Sequence, residues 1–319
     1  MGPEGPGSLL MWMRLFLAGL GVATAGLVGV AVVRRRRRER ETDRLVADLL
    51  AASVPGPGRV VRGDDLAALP PPVRRYLHTV LREGQPHVER ARIEQSGTFR
   101  GGGSTGPWRP FTATQHVTVR PPGFVWDATI EMWPWIPVRV VDAYHDGTGI
   151  LRAAVGGVLS VMDAAPGAEL DEGELLRYLA EAPLYPTALL PAAGVRWSPI
   201  DDTSARATLA HGETTAALTF HFNDRNEVAR VEGRRGFTRG DGTVERRPWV
   251  GYWRRYRERG GMRVPTEGEV AWRDPEEGEV SYWRGRMDRL TYRPGLETAP
   301  THREAASDPD ASRSSADHP

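Results

Sequence analysis

Residues 121–132, PPGFVWDATIEM, decide the fold. In an extended chain successive side chains point to opposite faces. Phe124, Trp126, Ala128, Ile130 and Met132 then share one face, and Val125, Asp127, Thr129 and Glu131 the other. That is the pattern of a half-buried strand, and Pro121-Pro122-Gly123 in front of it is a turn. The same alternation fits 91–100, 109–119, 137–145, 148–162, 194–200, 203–210, 213–223, 226–236, 244–257, 262–273 and 278–293. Turn residues separate them, among them His145-Asp146-Gly147, Asp224-Arg225-Asn226 and Gly240-Asp241-Gly242. Links this short between successive strands imply antiparallel pairing in a meander.

Two helical patterns sit against this sheet. Pro71-Pro72 open a helix over 71–82, in which Val73, Tyr76, Leu77, Val80 and Leu81 form an apolar stripe. A second helix over 172–182 interrupts the strands. Asp171 and Glu174 read as its capping box, Leu175, Leu176 and Leu179 as its apolar side, and Arg177 and Glu181 as an i, i+4 pair.

Upstream, Leu15 to Val33 is a continuous apolar run followed at once by Arg34-Arg35-Arg36-Arg37-Arg38. As a helix the run spans ~28 Å, about one bilayer hydrocarbon core. Ala23-Thr24-Ala25 sits mid-run with apolar residues still behind it, and only Arg14 precedes the run. An uncleaved anchor is therefore expected rather than a signal peptide. The basic flank on its C-terminal side puts the remaining chain in the cytoplasm by the positive-inside rule. Arg34, Arg35, Arg36, Arg37 and Arg38 are the candidate contacts to anionic headgroups. Residues 39–53 continue as a juxtamembrane helix, with Leu45, Leu49 and Leu50 on one side, before Pro55-Gly56-Pro57-Gly58 breaks it.

The expected layout is a disordered 1–8, a transmembrane helix 9–33, a basic flank with helix and linker 34–68, a β-rich domain 69–293 and a disordered tail 294–319. The chain has 319 residues and a net charge of +1, which argues against a general nucleic-acid binder. It has no cysteine, so disulfides, thiolate metal sites and a cysteine nucleophile are excluded. All 42 basic residues are arginine.

Candidate chemical motifs are weak. Gly101 to Gly106 matches G-x-G-x-x-G, but Pro107 and another strand follow where a dinucleotide site needs a helix. Asp142, His145 and Asp146 resemble a metal cluster, yet Asp142 and His145 point to opposite faces of a strand. His116 and His221 have no ligand-spaced neighbour, and no G-x-S-x-G elbow exists. Asp201-Asp202 and Glu276-Glu277 lie in loop-like contexts, and Glu267 and Glu269 share what reads as a solvated face. No cofactor, metal or catalytic residue is expected. Tryptophan is the unusual feature: nine of these residues lie in or beside strands, where they build a core or line an apolar cavity.

Six stretches together resemble an uncharacterised bacterial family known only as a domain of unknown function, often with an N-terminal membrane helix. They are LPPPVRRYL (69–77), WRPFTATQHVTVRPPGFVWDA (108–128), PTALLPAAGVRW (186–197), DDTSARATL (201–209), YRERGGMRVPTEGEVAW (256–272) and YWRGRM (282–287). The resemblance covers about 69–293 and brings no activity or site residues. The element order is similar to the lipoprotein-carrier fold, a curved antiparallel half-barrel closed by helices around an apolar cavity.

The expected fold class is thus mainly β (α+β), a strongly curved antiparallel half-barrel with two or three packed helices and one N-terminal transmembrane helix. The expected function is binding of a lipid-like or hydrophobic molecule in the half-barrel at the membrane. The alternative is a non-catalytic scaffold or protein-interaction module there, with an enzyme third. A ligand site is expected around Trp126 and Trp272 beside helix 172–182, with Arg177 and Tyr178 meeting a polar head.

Overall fold

The computed structural model describes residues 6–53, 59–101, 103–133, 135–238 and 243–293, without the side chains of 6–25, 27 and 238. The expected tail 294–319 lies outside the described residues, as do 1–5 of the expected ragged start, whereas 6–8 already belong to the first helix.

The chain opens with α1 (Pro6–Ala52), α2 (Asp64–Ala67) and α3 (Pro71–Val80). Six strands follow: β1 (Arg90–Arg100), β2 (Trp108–Thr118), β3 (Gly123–Trp133), β4 (Ile136–His145), β5 (Thr148–Val155) and β6 (Leu159–Asp163). The insertion is α4 (Ala168–Glu181) with 3₁₀ turns at Ala182–Leu184, Pro186–Leu189 and Pro191–Ala193. Then come β7 (Val195–Asp201), β8 (Ser204–His211), β9 (Thr214–Phe222), β10 (Val228–Thr238) and β11 (Val244–Arg254). β12 (Arg257–Arg259), β13 (Met262–Val264), β14 (Glu267–Asp274) and β15 (Gly278–Arg293) complete it.

Among the described residues thirteen strands form one antiparallel sheet, in the order β6-β5-β4-β3-β2-β1-β15-β14-β11-β10-β9-β8-β7. The first strand pairs with the last, Arg90 opposite Arg293, so two meanders meet at the centre. The sheet curls into a half-barrel. Its flanks approach closely enough for Tyr144 Oη on β4 to lie 3.0 Å from His211 Nδ1 on β8. Glycines on the concave face make the curl sterically possible: Gly97 stands opposite Gly285, and Gly285 opposite Gly268. A Cβ at Gly285 would lie 2.2 Å from the Trp283 ring, and one at Gly268 2.8 Å from Trp253. The indoles lie across the backbone where side chains would otherwise stand.

The core lies in the concavity. The stripe of α3 buries Val73, Tyr76, Leu77 and Val80 against it, each aliphatic side chain contributing about 1.5–3 kcal/mol. Tyr76 packs 5.5 Å from Phe222. The 3₁₀ segment is held by Thr187 Oγ1, which accepts from Val88 N at 2.9 Å, and by Leu184 O, which accepts from Tyr292 Oη at 2.7 Å.

Three expectations need correction. The single strand at 148–162 is a hairpin, because Gly156 and Gly157 turn the chain at φ 60° and 70°. The strands at 244–257 and 262–273 each shed a short piece into the separate β12–β13 hairpin, where Arg255 takes φ 55°. The helix expected over 39–53 is the end of one continuous α1. The capping box is absent: α4 starts earlier, at Ala168, so Asp171 instead accepts the Gly149 N–H of β5 at 2.7 Å and Glu174 points inward.

Helix α1 packs on the convex face, with Leu49 buried against Val125 and Ala143 and with Leu45 and Val46 alongside. No helix is long and apolar enough to cross a membrane among the described residues. Most side chains of the expected span 9–33 are outside that description.

Candidate functional site

Charged groups accumulate in the concavity around α4. Arg177 projects from the helix onto β3, with its guanidinium 4.9 Å from the Phe124 ring and 5.0 Å from the Trp126 ring. It ion-pairs with Asp142 of β4 and, at 2.8 Å, with Glu181 one turn along. Glu181 accepts from Gln115 Nε2 at 2.6 Å. Gln115 in turn accepts from Gln95 Nε2 at 3.1 Å, and Gln95 accepts from the Trp126 indole at 2.8 Å. On the other flank Arg235 of β10 donates to Glu174 at 2.5 Å. The network thus ties α4 to β1, β2, β3 and β4 on one side and to β10 on the other.

Its protonation follows from its burial. Glu174 is 1% exposed. Desolvation first, and then the adjacent Asp142 charge, push its carboxyl well above the usual range. Asp142 Oδ1 and Glu174 Oε2 are each buried without a hydrogen-bond donor. A proton on Glu174 donated to Asp142 satisfies both atoms. Asp142 and Glu181 then balance Arg177 and Arg235, and the cluster is neutral. Burial works against the Arg177 charge, but the Glu181 and Asp142 carboxylates hold its proton more tightly than usual. A buried set with every charge matched offers no free base or nucleophile, and removing one partner leaves a costly uncompensated charge.

Beyond this network, toward the hairpin turns, the concave face changes character. Seven neighbouring strands from β3 to β10 carry inward-facing side chains there, including Met132, Arg109, Phe99, Trp283, Trp272 and Phe237, all only half-buried. Phe237 and Trp272 meet edge-on at 5.1 Å, and Trp272 stacks on Tyr282 at 6.0 Å. Trp283 stacks on Phe111 at 5.8 Å, and Phe111 meets Trp126 at 5.9 Å. The shelf is therefore continuous with the core. Arg109 stands opposite Phe99. Its Nε is buried without a partner, and it has no acidic partner among the described residues.

The four expected site residues separate. Trp126 and Arg177 meet, as the rings and guanidinium show, and Trp272 belongs to the shelf. Tyr178 is fully buried 5.6 Å from Tyr185, among core groups. Arg177 is saturated, so among the described residues the free cation of the concave face is Arg109, which the sequence reading passed over. A signal existed: Arg109 shares the strand parity of Phe111, Ala113 and Val117. Gln95, Gln115, Asp142 and Arg235 likewise stand at inward positions between apolar neighbours.

The other candidates are structural. Asp142 of the metal-like trio is held by Arg177, and among the described residues no group of three or more His, Asp or Glu is placed for a metal ion. Glu269 pairs with Arg254 and Arg284, each at 3.1 Å, on the convex face. His221 pairs with Glu232 at 2.8 Å. Of the basic flank, Arg35 and Arg37 pair with Glu39 and Glu41, each at 3.0 Å. Arg38, with Arg139 and Arg152, lines a groove of about 40 Å³ between α1 and the convex sheet.

Fold and site define an antiparallel half-barrel with a helical insertion locked into its concavity. The chain belongs to DUF6920, a family of unknown function, whose model matches residues 67–292. No curated protein is detectably similar to it. Two solved structures show a low overall similarity to it. One is a DUF1329 family protein from Desulfovibrio piger, at 10% identity and a TM-score of 0.37, covering 73% of this chain and 93% of that one. The other is a LolA superfamily protein from Nitrosomonas europaea, at 11% identity and a TM-score of 0.33, covering 69% and 93%.

Proposed function

We propose that the protein is a single-pass, membrane-tethered binding module whose half-barrel faces the cytoplasm and holds an amphiphilic molecule on the concave shelf. The observation that carries this reading is the shelf itself: inward-facing aromatic surface left half-exposed, with Arg109 lacking an acidic partner among the described residues. Half-buried rings offer an acyl chain or similar apolar body its contact area. Arg109 offers a carboxylate or phosphate head a bidentate partner. The anchor rests on the run Leu15–Val33 and the arginines after it.

A test is native mass spectrometry of the full chain, with extraction of what co-purifies. The expected result is a stoichiometric anionic amphiphile that is lost from Arg109→Gln and retained by Arg206→Gln, a change on the exposed surface. A folded chain that is free of ligand and ignores added amphiphiles sinks the reading. A second reading, an interaction module without ligand, draws on the exposed apolar edge strand β6 and predicts that outcome.

A further inference from the structure

A second uncovered apolar surface among the described residues lies just outside the shelf. The β3–β4 turn exposes Trp133 (51%), Trp135 (99%) and Ile136 (47%). Edge strand β6 is exposed at all five positions and presents Leu159, Val161 and Met162. Trp135 also sits at φ 70°, a left-handed conformation that costs a tryptophan energy, so neither burial nor turn geometry explains an indole there. An uncovered apolar edge strand is an invitation to association unless something covers it.

Helix α1 says where these tips lie. It runs along the convex face from the β5–β6 turn to the β2–β3 turn. A Cβ at Gly157 would lie 3.5 Å from Arg35, and one at Gly123 2.7 Å from Leu49. Travelling toward the N-terminus, the helix therefore leaves the sheet at the end where the β3–β4 and β5–β6 turns project. The next residues outward, Val33, Val32, Val30 and Val28, are exposed and open the apolar run. The β5–β6 tip stands level with Arg35, and Gly156 N donates to Pro137 O, which sets the β3–β4 tip beside it, at the height where an anchor helix passes from hydrocarbon to headgroups. Tryptophan beside arginine at that height is the side-chain chemistry of a membrane interface.

We propose that the β3–β4 tip and strand β6 are a second membrane contact, which seats the rim of the half-barrel on an anionic leaflet. The proposal takes its orientation from the reading of α1 as an anchor and extends it. Met132 and Phe99 of the shelf end at the same rim, so an amphiphile passes from leaflet to shelf without crossing water. Arg34 and Arg36, without an acidic partner among the described residues, add the charge that favours anionic over zwitterionic lipid.

The chain has no cysteine, so single labels are unambiguous. Full chains carrying an environment-sensitive fluorophore at Trp135→Cys, Ser160→Cys, Val30→Cys or Arg225→Cys are placed in phosphatidylglycerol-containing vesicles with spin-labelled lipid. Arg225 lies in the β9–β10 turn, near α3. Expected is quenching at 30, 135 and 160 and none at 225. Quenching at 30 alone overturns the docking while leaving the anchor intact. Quenching at 135 and 160 without 30 supports the docking and removes the anchor. Protection of 160 that ignores lipid and rises with protein concentration assigns the edge to a second copy and overturns the proposal.

Discussion

The concavity around α4 and the rim at the hairpin turns invert the usual placement of polarity in opposite ways. The first buries charge: Arg177, Asp142, Glu181, Glu174 and Arg235 sit among aromatic rings. The second exposes apolar surface: Trp135, Leu159 and Met162 face outward. Every charge in the first has its counter-charge within the chain, so its account is closed by folding. The second has no partner within the described chain, so its account is open. Self-satisfaction, rather than unusual composition, separates a structural cluster from a surface awaiting something else.

The comparison breaks most visibly if the concave network is removed. Trp126→Ala deletes an indole that is 5% exposed and hydrogen-bonded to Gln95, and should destabilise by about 3–5 kcal/mol in denaturant unfolding. Loss of ligand with little loss of stability would instead make Trp126 a ligand contact. Arg177→Ala strands Asp142 and Glu181 in the interior and should cost a similar ~3–5 kcal/mol. Survival of that variant at near-native stability would mean that solvent reaches the cluster.

A smaller effect is expected at Gly285→Ala, where the new Cβ must displace the Trp283 ring, at about 1–3 kcal/mol. A silent substitution there would show that the sheet curls for other reasons.

The proton on Glu174 gives the network a pH signature. Its folded pKa lies above the ordinary 4.5, so between that value and the raised one the folded chain holds a proton that the unfolded chain releases. Stability contributed by this group is therefore full below 4.5 and declines as pH rises through the folded pKa. Glu174→Gln should flatten that decline in unfolding curves measured across the window, since the amide donates to Asp142 at every pH. An unchanged slope would place the titration elsewhere. Least of all should Trp135→Ser disturb the fold, by about 0.5 kcal/mol or less, while weakening vesicle binding. A loss of stability above that would return Trp135 to the core.

Much of the architecture was legible because its signals are local. The two-residue period of 124–132 needs only the pleat, and it located β3 and most of its neighbours. The stripe Val73, Tyr76, Leu77, Val80 located α3 in the same way. Boundaries failed where one residue reverses the chain: Gly156-Gly157 reads as part of a strand until its backbone is seen. The α4 cap failed because Asp171 and Glu174 have the spacing of a capping box but partners in distant strands. Trp126 and Arg177 were grouped with Trp272 and Tyr178 as a ligand site, because a helical insertion must pack on a strand face; that guanidinium and indole meet each other is what the fold adds. Arg109 was not read, because one arginine in a strand looks the same whether or not an acid awaits it across the sheet.

The sequence by itself determined the periods: which residues alternate, which form a helical stripe, and where an apolar run meets arginines. These depend on neighbours along the chain and on backbone geometry alone. The tertiary structure decided which charges cancel and which surfaces remain uncovered. Asp142 finds Arg177, and Glu174 finds Arg235, across long stretches of chain. Pairing and burial are properties of the closed sheet and exist only once the two flanks have curled around α4.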